Sequence, residues 1–510
     1  MNIKEAKEEI RNTIRAYLTR DELGNYLIPA IRQRPILLMG PPGVGKTQIM
    51  EQVAAETGVG LVAYTITHHT RQSAVGLPFL AHRTYDGEDV TVTEYTMSEI
   101  LASVYNLMAK TGIRQGILFL DEINCVSETL APMMLQFLQC KTFGNQALPE
   151  GWTIIAAGNP PEYNKSVRDF DVVTLDRVKR ISVEADFSVW KEYARKKGLH
   201  GAIISYLDIR KENFYRVETS VDGLQFATAR GWEDLSELLF AYEKLGLRVN
   251  REIVGEYIQL PRIAGDFANY LELYYKYQRA YHVDDILRGE WQQITVTELR
   301  AAPFDERLAV MGLLLSRLSA AASAARRQDG LTAALHEALL SVREQLPAGT
   351  GAPEALGGLA QRYRAELRRA KEAGQLDKES RDDRLRVIGA LEDYRRRLQD
   401  EDVPGDGAMD ALRQWFSAEV DARGAAGAAA GTEFDNAFQF LEAAFGDSQE
   451  LVLFVTEITA GYDTSWFVEN FGCDAYFRHN RELLFDDTGR RIREEIAAAK
   501  AAEREDEIHE

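Results

Sequence analysis

The chain has 510 residues, of which 45% are hydrophobic, and a formal net charge of −19. That length accommodates about three domains with ordinary cores, and the acidic balance argues against a surface built mainly to hold nucleic acid or anionic membrane. The three cysteines, Cys125, Cys140 and Cys473, are too widely spaced for a disulfide framework or a CxxC metal pair, which suits a reducing cytosol.

Residues 1–35 predict one or two helices ahead of Pro35. The first ten residues are a charged helix rather than a signal peptide, and no apolar run approaches the length of a membrane span, so a soluble, cytoplasmic chain is expected. An α/β pattern follows over 36–186. Its predicted strands are 36–39, 60–67, 116–120, 153–157 and 178–183, with helical stretches between several of them. Short apolar strands alternating with helices imply a parallel sheet covered on both faces.

Directly after the first strand stand Gly40, Pro41, Pro42, Gly43, Val44, Gly45, Lys46 and Thr47. Glycines at this spacing let the backbone curl so that its N–H groups surround phosphate oxygens, Lys46 reaches the β and γ phosphates, and Thr47 offers its hydroxyl to Mg²⁺. Gln48 opens the helical stretch that follows, so the phosphates also meet a helix N-terminus. A nucleoside triphosphate with Mg²⁺ is therefore the expected ligand.

Further on, His68 and His69 stand side by side. Neighbouring side chains on an extended strand diverge, and no other ligand-type residues accompany them at metal spacing, so a metal site is not expected there. Residues 79–95 read as a β-hairpin around Asp86-Gly87. The strand 116–120 then runs into Asp121 and Glu122, delivering two carboxylates to the sheet's carboxyl edge. Asp121 can hold Mg²⁺ through its water shell, and Glu122 can orient and deprotonate an attacking water. A second hairpin is predicted over 141–152, with Phe143 and Trp152 as packing residues. The strand 153–157 leads to Asn159, whose amide can hydrogen-bond the γ-phosphate or the attacking water.

Helix patterns take over as a compact helical region at 187–290, followed by a mainly helical region at 291–510. Breaks at 347–353, 404–407 and 424–431 read as linkers. The stretch between the first two, with Arg362, Arg364, Arg368 and Arg369 among acidic residues, reads as a solvated helical arm. Residues 450–458 and 466–471 look core-forming, and 489–510 read as a charged helix.

Taken together, the segments resemble the AAA+ ATPases, and more closely their MoxR-like branch, over roughly residues 30–270. Residues 40–47 resemble Walker A, residues 118–122 resemble Walker B, and Asn159 resembles sensor 1, in the family's order. The resemblance implies an α/β P-loop core followed by an α-helical lid. It also implies ATP hydrolysis in a ring, usually a hexamer, whose sites lie at subunit boundaries and are completed by a neighbour's arginine. Residues 174–180 sit where the family carries a Leu-Asp-Arg finger, which makes Arg177 the candidate and Arg180 the second choice. Residues 227–232 resemble sensor 2, with Arg230 directed to the γ-phosphate of its own or a neighbouring subunit. The two hairpins correspond to insertions that face the pore or rim in relatives. The family's usual partner is a protein with a von Willebrand factor A domain, remodelled or activated by the ring; this chain has no Asp-x-Ser-x-Ser motif of its own. Two other readings remain open. One is a ring acting on nucleic acid or in defence, using Arg83, Lys141 and Lys165; the other is a nucleotide-gated scaffold.

Overall fold

The computed structural model describes residues 1–68, 72, 74, 76–85, 88–143, 146–163, 170–220, 223–346, 351–376, 378–403 and 407–481. His69 and its neighbours to Arg71, the Asp86-Gly87 turn, Lys165, and residues 404–406 and 489–510 lie outside this set. The chain divides into two compact units. One comprises Met1–Val189, Tyr215–Gly231 and Glu337–Ala411; the other comprises Trp190–Phe214, Trp232–His336 and Leu412–Glu510.

The first unit opens with helix α1 (Ile3–Leu18), set by a capping box in which the Asn2 side chain accepts from the Glu5 N–H and the Glu5 carboxylate accepts from the Asn2 N–H. Five parallel strands follow: β1 (Ile36–Met39), β2 (Gly60–Thr65), β5 (Gly116–Asp121), β8 (Trp152–Gly158) and β9 (Lys179–Ser182). They lie in the order β2-β5-β8-β1-β9, with Leu118 opposite Ile154 and Ile36 opposite Ile155. Every residue of β1 and β8 is buried, as a parallel sheet covered on both faces requires. Alternate side chains feed two cores. Leu37, Leu118, Leu120 and Ile154 join residues of helices α3 (Glu99–Thr111) and α4 (Ala131–Cys140). Ile36, Leu38, Phe119 and Ile155 join α1 and α2 (Lys46–Thr57). Trp152 lies against Gly116, where an added Cβ would stand 2.5 Å from the indole ring.

The predicted hairpins are present as β3 (Pro78–Tyr85) with β4 (Glu88–Tyr95), and as the short pair β6 (Thr142–Phe143) with β7 (Gln146–Ala147). Phe143 packs as expected, stacked on Phe137 at 4.0 Å, and Trp152 is buried. The region from 187 onward is not free of strands. Residues Arg216–Ser220 (β10) and Gly223–Ala227 (β11) form an antiparallel hairpin within the first unit.

The helical arm, Ala352–Glu372 and Lys378–Asp400, also belongs to this unit. Its outer surface is solvated as predicted, but its turn is docked. Ala373 O accepts from Leu61 N at 3.0 Å and Gln375 Nε2 donates to Val59 O at 2.7 Å, covering the open edge of β2.

The described part of the second unit is helical. Phe267 packs edge to face on both Tyr206 and Trp232, which are tilted against each other, and Phe438 packs on Phe454. The linker expected at 424–431 is absent, because helix Ala408–Phe445 runs through it. Gly427 there provides the gap that the Phe471 ring fills, so packing overrides the low helix propensity of glycine. Of the other two predicted breaks, residues 347–350 and 404–406 lie outside the described residues; Ala352 and Pro353 already belong to helix Ala352–Glu372. Helix Phe304–Gln345 is long and apolar enough to cross a membrane by length and composition, contrary to the sequence expectation. Its side chains Val310, Leu314 and Leu318 are nevertheless buried within the protein.

Candidate nucleotide site

The loop from Gly40 to Thr47 joins the end of β1 to the start of α2. Gly43 and Gly45 have φ of 76° and 89°, left-handed values that other residues rarely adopt. Gly45 caps α2 without a side-chain acceptor, which leaves the first-turn N–H groups for an external anion. Val44 lies in the loop between these glycines, and Gln48 is exposed in the first turn. Gly40 approaches the end of β9 so closely that an added Cβ would stand 2.8 Å from Val183 O.

Lys46 is only 8% exposed, and its ammonium donates to Gly40 O at 2.8 Å, Pro41 O at 2.9 Å and Asn159 Oδ1 at 2.9 Å. Burial lowers its pKa to about 8; the carboxylates of Asp121 and Glu122 oppose that shift, and Arg230 adds to it. Thr47 Oγ1 donates to Asp121 Oδ2 at 2.9 Å, while Asp121 Oδ1 accepts from Glu122 N at 2.9 Å. Glu122 has φ of 56°, a strained value for a residue with a Cβ, and its Oε2 accepts from Thr67 Oγ1 at 3.0 Å. The structure therefore brings Lys46, Thr47, Asp121, Glu122 and Asn159 together at the carboxyl ends of β1, β5 and β8.

Arg230 joins them from the first turn of helix Ala229–Leu245. An added Cβ on Gly43 would stand 3.3 Å from Thr228 Cβ and 3.4 Å from Arg230 Cβ. The Thr228 hydroxyl accepts from Gly231 N at 3.2 Å and so fixes the start of that helix. Arg177 does not join this cluster. It caps the short helix Val172–Asp176, is exposed, and donates to Gln139 Oε1. Arg180 lines a cleft of about 510 Å³ beside the loop, together with Gly40, Pro41, Tyr163 and Tyr215.

Three positioning residues were not assigned from sequence. Thr67 holds Glu122. Asn124 is buried, donates to Asn159 O at 2.7 Å and accepts from Asn159 N at 3.3 Å, locking the loop that carries the amide. Tyr215 donates to Pro42 O at 2.9 Å. Asn124 follows the acidic pair by two residues and was open to notice; the other two depend on contacts between distant segments.

The oxygen donors of Thr47 and Asp121 suit a hard cation such as Mg²⁺. No group of three or more His, Cys, Asp or Glu placed to hold a metal occurs among the described residues. A hard cation bound there would take one carboxylate and one hydroxyl from the protein.

Residues 35–178 match the family described as AAA domain (dynein-related subfamily). Among solved structures, the chain is similar to NtrX from Brucella abortus, crystallised in complex with ADP, at 16% identity and a TM-score of 0.24. That match covers 41% of this chain and 45% of the other. No curated protein matches the chain.

Proposed function

We propose that this chain, which carries an AAA domain at residues 35–178, hydrolyses ATP with Mg²⁺ in a ring of MoxR-like AAA+ subunits and uses the cycle to remodel a partner protein in the cytoplasm. The observation that carries the hydrolase reading is the convergence of Lys46, Thr47, Asp121, Glu122, Asn159 and Arg230 around one glycine loop. In that reading the triphosphate draws the Lys46 ammonium from the Gly40 and Pro41 carbonyls onto its β and γ oxygens. Thr47, and Asp121 through a water shell, would hold Mg²⁺, which would supply positive charge to screen the phosphates. Glu122 leaves Thr67 and accepts a proton from the attacking water, with the Asn159 amide orienting that water or the γ-phosphate. Arg230 adds positive charge beside the loop.

The exposed position of Arg177, away from its own chain's loop, supports a role toward a neighbouring subunit. Arg180 sits beside its own loop and suits that role less. The hairpin of β3 and β4 presents Phe79, 44% exposed, and Leu80, 72% exposed, as a surface for gripping a partner. By family likeness that partner carries a von Willebrand factor A domain. The nucleic-acid reading loses support, since Arg83 is paired with Glu94 and Lys141 is part-buried, donating to Ala30 O at 2.7 Å.

The test is to mix Arg177→Ala subunits with Lys46→Ala subunits. Recovery of turnover, from sites that pair an intact loop with an intact arginine, is expected. Rings that form yet hydrolyse nothing in every mixture would refute action between subunits. Turnover equally negligible in wild type and Glu122→Gln, even with partner present, would leave the nucleotide-gated scaffold.

A further inference from the structure

The second unit carries a shallow, solvent-open cleft of about 460 Å³ lined by the exposed side chains of Arg210, Arg251, Arg262, Asp266 and Asn269 and by Gly265. Its arginines come from three places: the end of helix Gly201–Ile209, the start of helix Arg251–Tyr257 and the first turn of helix Pro261–Ala280. Few of their donors are used. Arg251 Nη2 reaches Pro261 O at 3.4 Å, a long bond. Arg210 Nε stands 3.9 Å from Asp266 Oδ2, an oxygen that already accepts from the Tyr206 hydroxyl at 2.9 Å. Arg262 has no ion pair or hydrogen bond to another described side chain. Gly265 makes room for this arrangement: an added Cβ would stand 3.3 Å from Arg251 Nε, so the bare backbone lets the guanidinium lie against the helix. Helix Pro261–Ala280 also begins without a side-chain cap.

Three guanidiniums against one carboxylate leave the cleft with two positive charges in excess, on a chain of net charge −19. A single carboxylate needs only one guanidinium fork, whereas a phosphate dianion offers oxygens to several. We infer that this cleft is a second anion site, separate from the glycine loop, that binds a phosphate dianion, either inorganic phosphate or the phosphoryl group of a small phosphomonoester. The charge excess equals the ligand's charge near neutral pH. Asn269 adds an amide that can donate to an oxygen the arginines leave open, and Asp266 stays engaged with Tyr206.

The experiment titrates inorganic phosphate into full-length Lys46→Ala protein by calorimetry at low salt, so that the glycine loop is disabled whatever its function. One saturable phosphate site is expected. In the Lys46→Ala, Arg251→Gln, Arg262→Gln variant the affinity should fall about tenfold or more, the loss of charge-assisted bonds, with unchanged circular dichroism and melting temperature. Ribose 5-phosphate binding more tightly than phosphate would place the site among phosphorylated metabolites; equal binding would assign it to phosphate itself. Equal phosphate affinity in the two variants, or no saturable site in Lys46→Ala, overturns the inference. So does a glutamate-rich peptide that binds these arginines more tightly than either phosphate.

Discussion

Raising the pH tests the nucleotide site through Lys46. Its pKa in the empty site is about 8, chiefly because it is buried. A bound triphosphate requires the ammonium form and holds it charged well above that value. At pH 7 about nine-tenths of empty sites carry the charge, and at pH 9 about one-tenth do. Binding at pH 9 must then take up about 0.9 of a proton, and affinity should fall about tenfold between pH 7 and pH 9, or about 1.4 kcal/mol. Calorimetry of ADP binding in two buffers of different ionisation enthalpy measures the proton directly. Equal heats in both buffers at pH 9, or affinity that does not change with pH, would refute the placement of Lys46 as a buried, phosphate-seeking cation. In the empty protein the same shift opposes folding. A cation whose folded pKa lies below its unfolded 10.5 costs stability in full below about pH 8, and that cost is relieved as pH rises toward 10.5.

Glu122→Gln should keep nucleotide binding and lower turnover by about 10²–10⁴-fold, measured as phosphate release under saturating ATP. Thr67→Val removes the hydroxyl that engages Glu122 at 3.0 Å; with that bond worth about 1 kcal/mol, basal turnover should rise about fivefold, and a fall would argue that Thr67 aligns the carboxylate for catalysis. Gly116→Ala drives a methyl into Trp152 and should cost about 1–3 kcal/mol in a denaturant melt. A further check is Gly427→Leu, which should lower the melting temperature by displacing the Phe471 ring; an unchanged melt would mean that residues 424–431 are the linker their composition suggests.

The parts of the site most legible in sequence are those whose chemistry is local. A phosphate cradle needs particular backbone angles within eight residues, and two carboxylates at the end of an apolar strand need only that strand to be central. Thr67 and Tyr215 were hidden because each acts across the fold: Thr67 reaches Glu122 only after β2 pairs with β5, and Tyr215 reaches Pro42 from a segment 173 residues later. The hairpin of β10 and β11 escaped notice because two five-residue strands sit inside a helical stretch and pair only with each other. Residues 424–431 misled for the opposite reason. A run of glycine and alanine has weak local preference, and an aromatic ring elsewhere in the chain decides its state.

The docked turn of the arm has a consequence for anyone who wants the nucleotide-binding part alone. Because residues 337–411 belong to the same compact unit as the sheet, no single cut separates that part as one continuous piece. A fragment ending near residue 290 would lose Ala373 and Gln375, and with them the partners of Leu61 N and Val59 O. Its outermost strand would then present bare amides to every other molecule in the tube, and the fragment should precipitate by strand pairing where the whole chain stays dispersed.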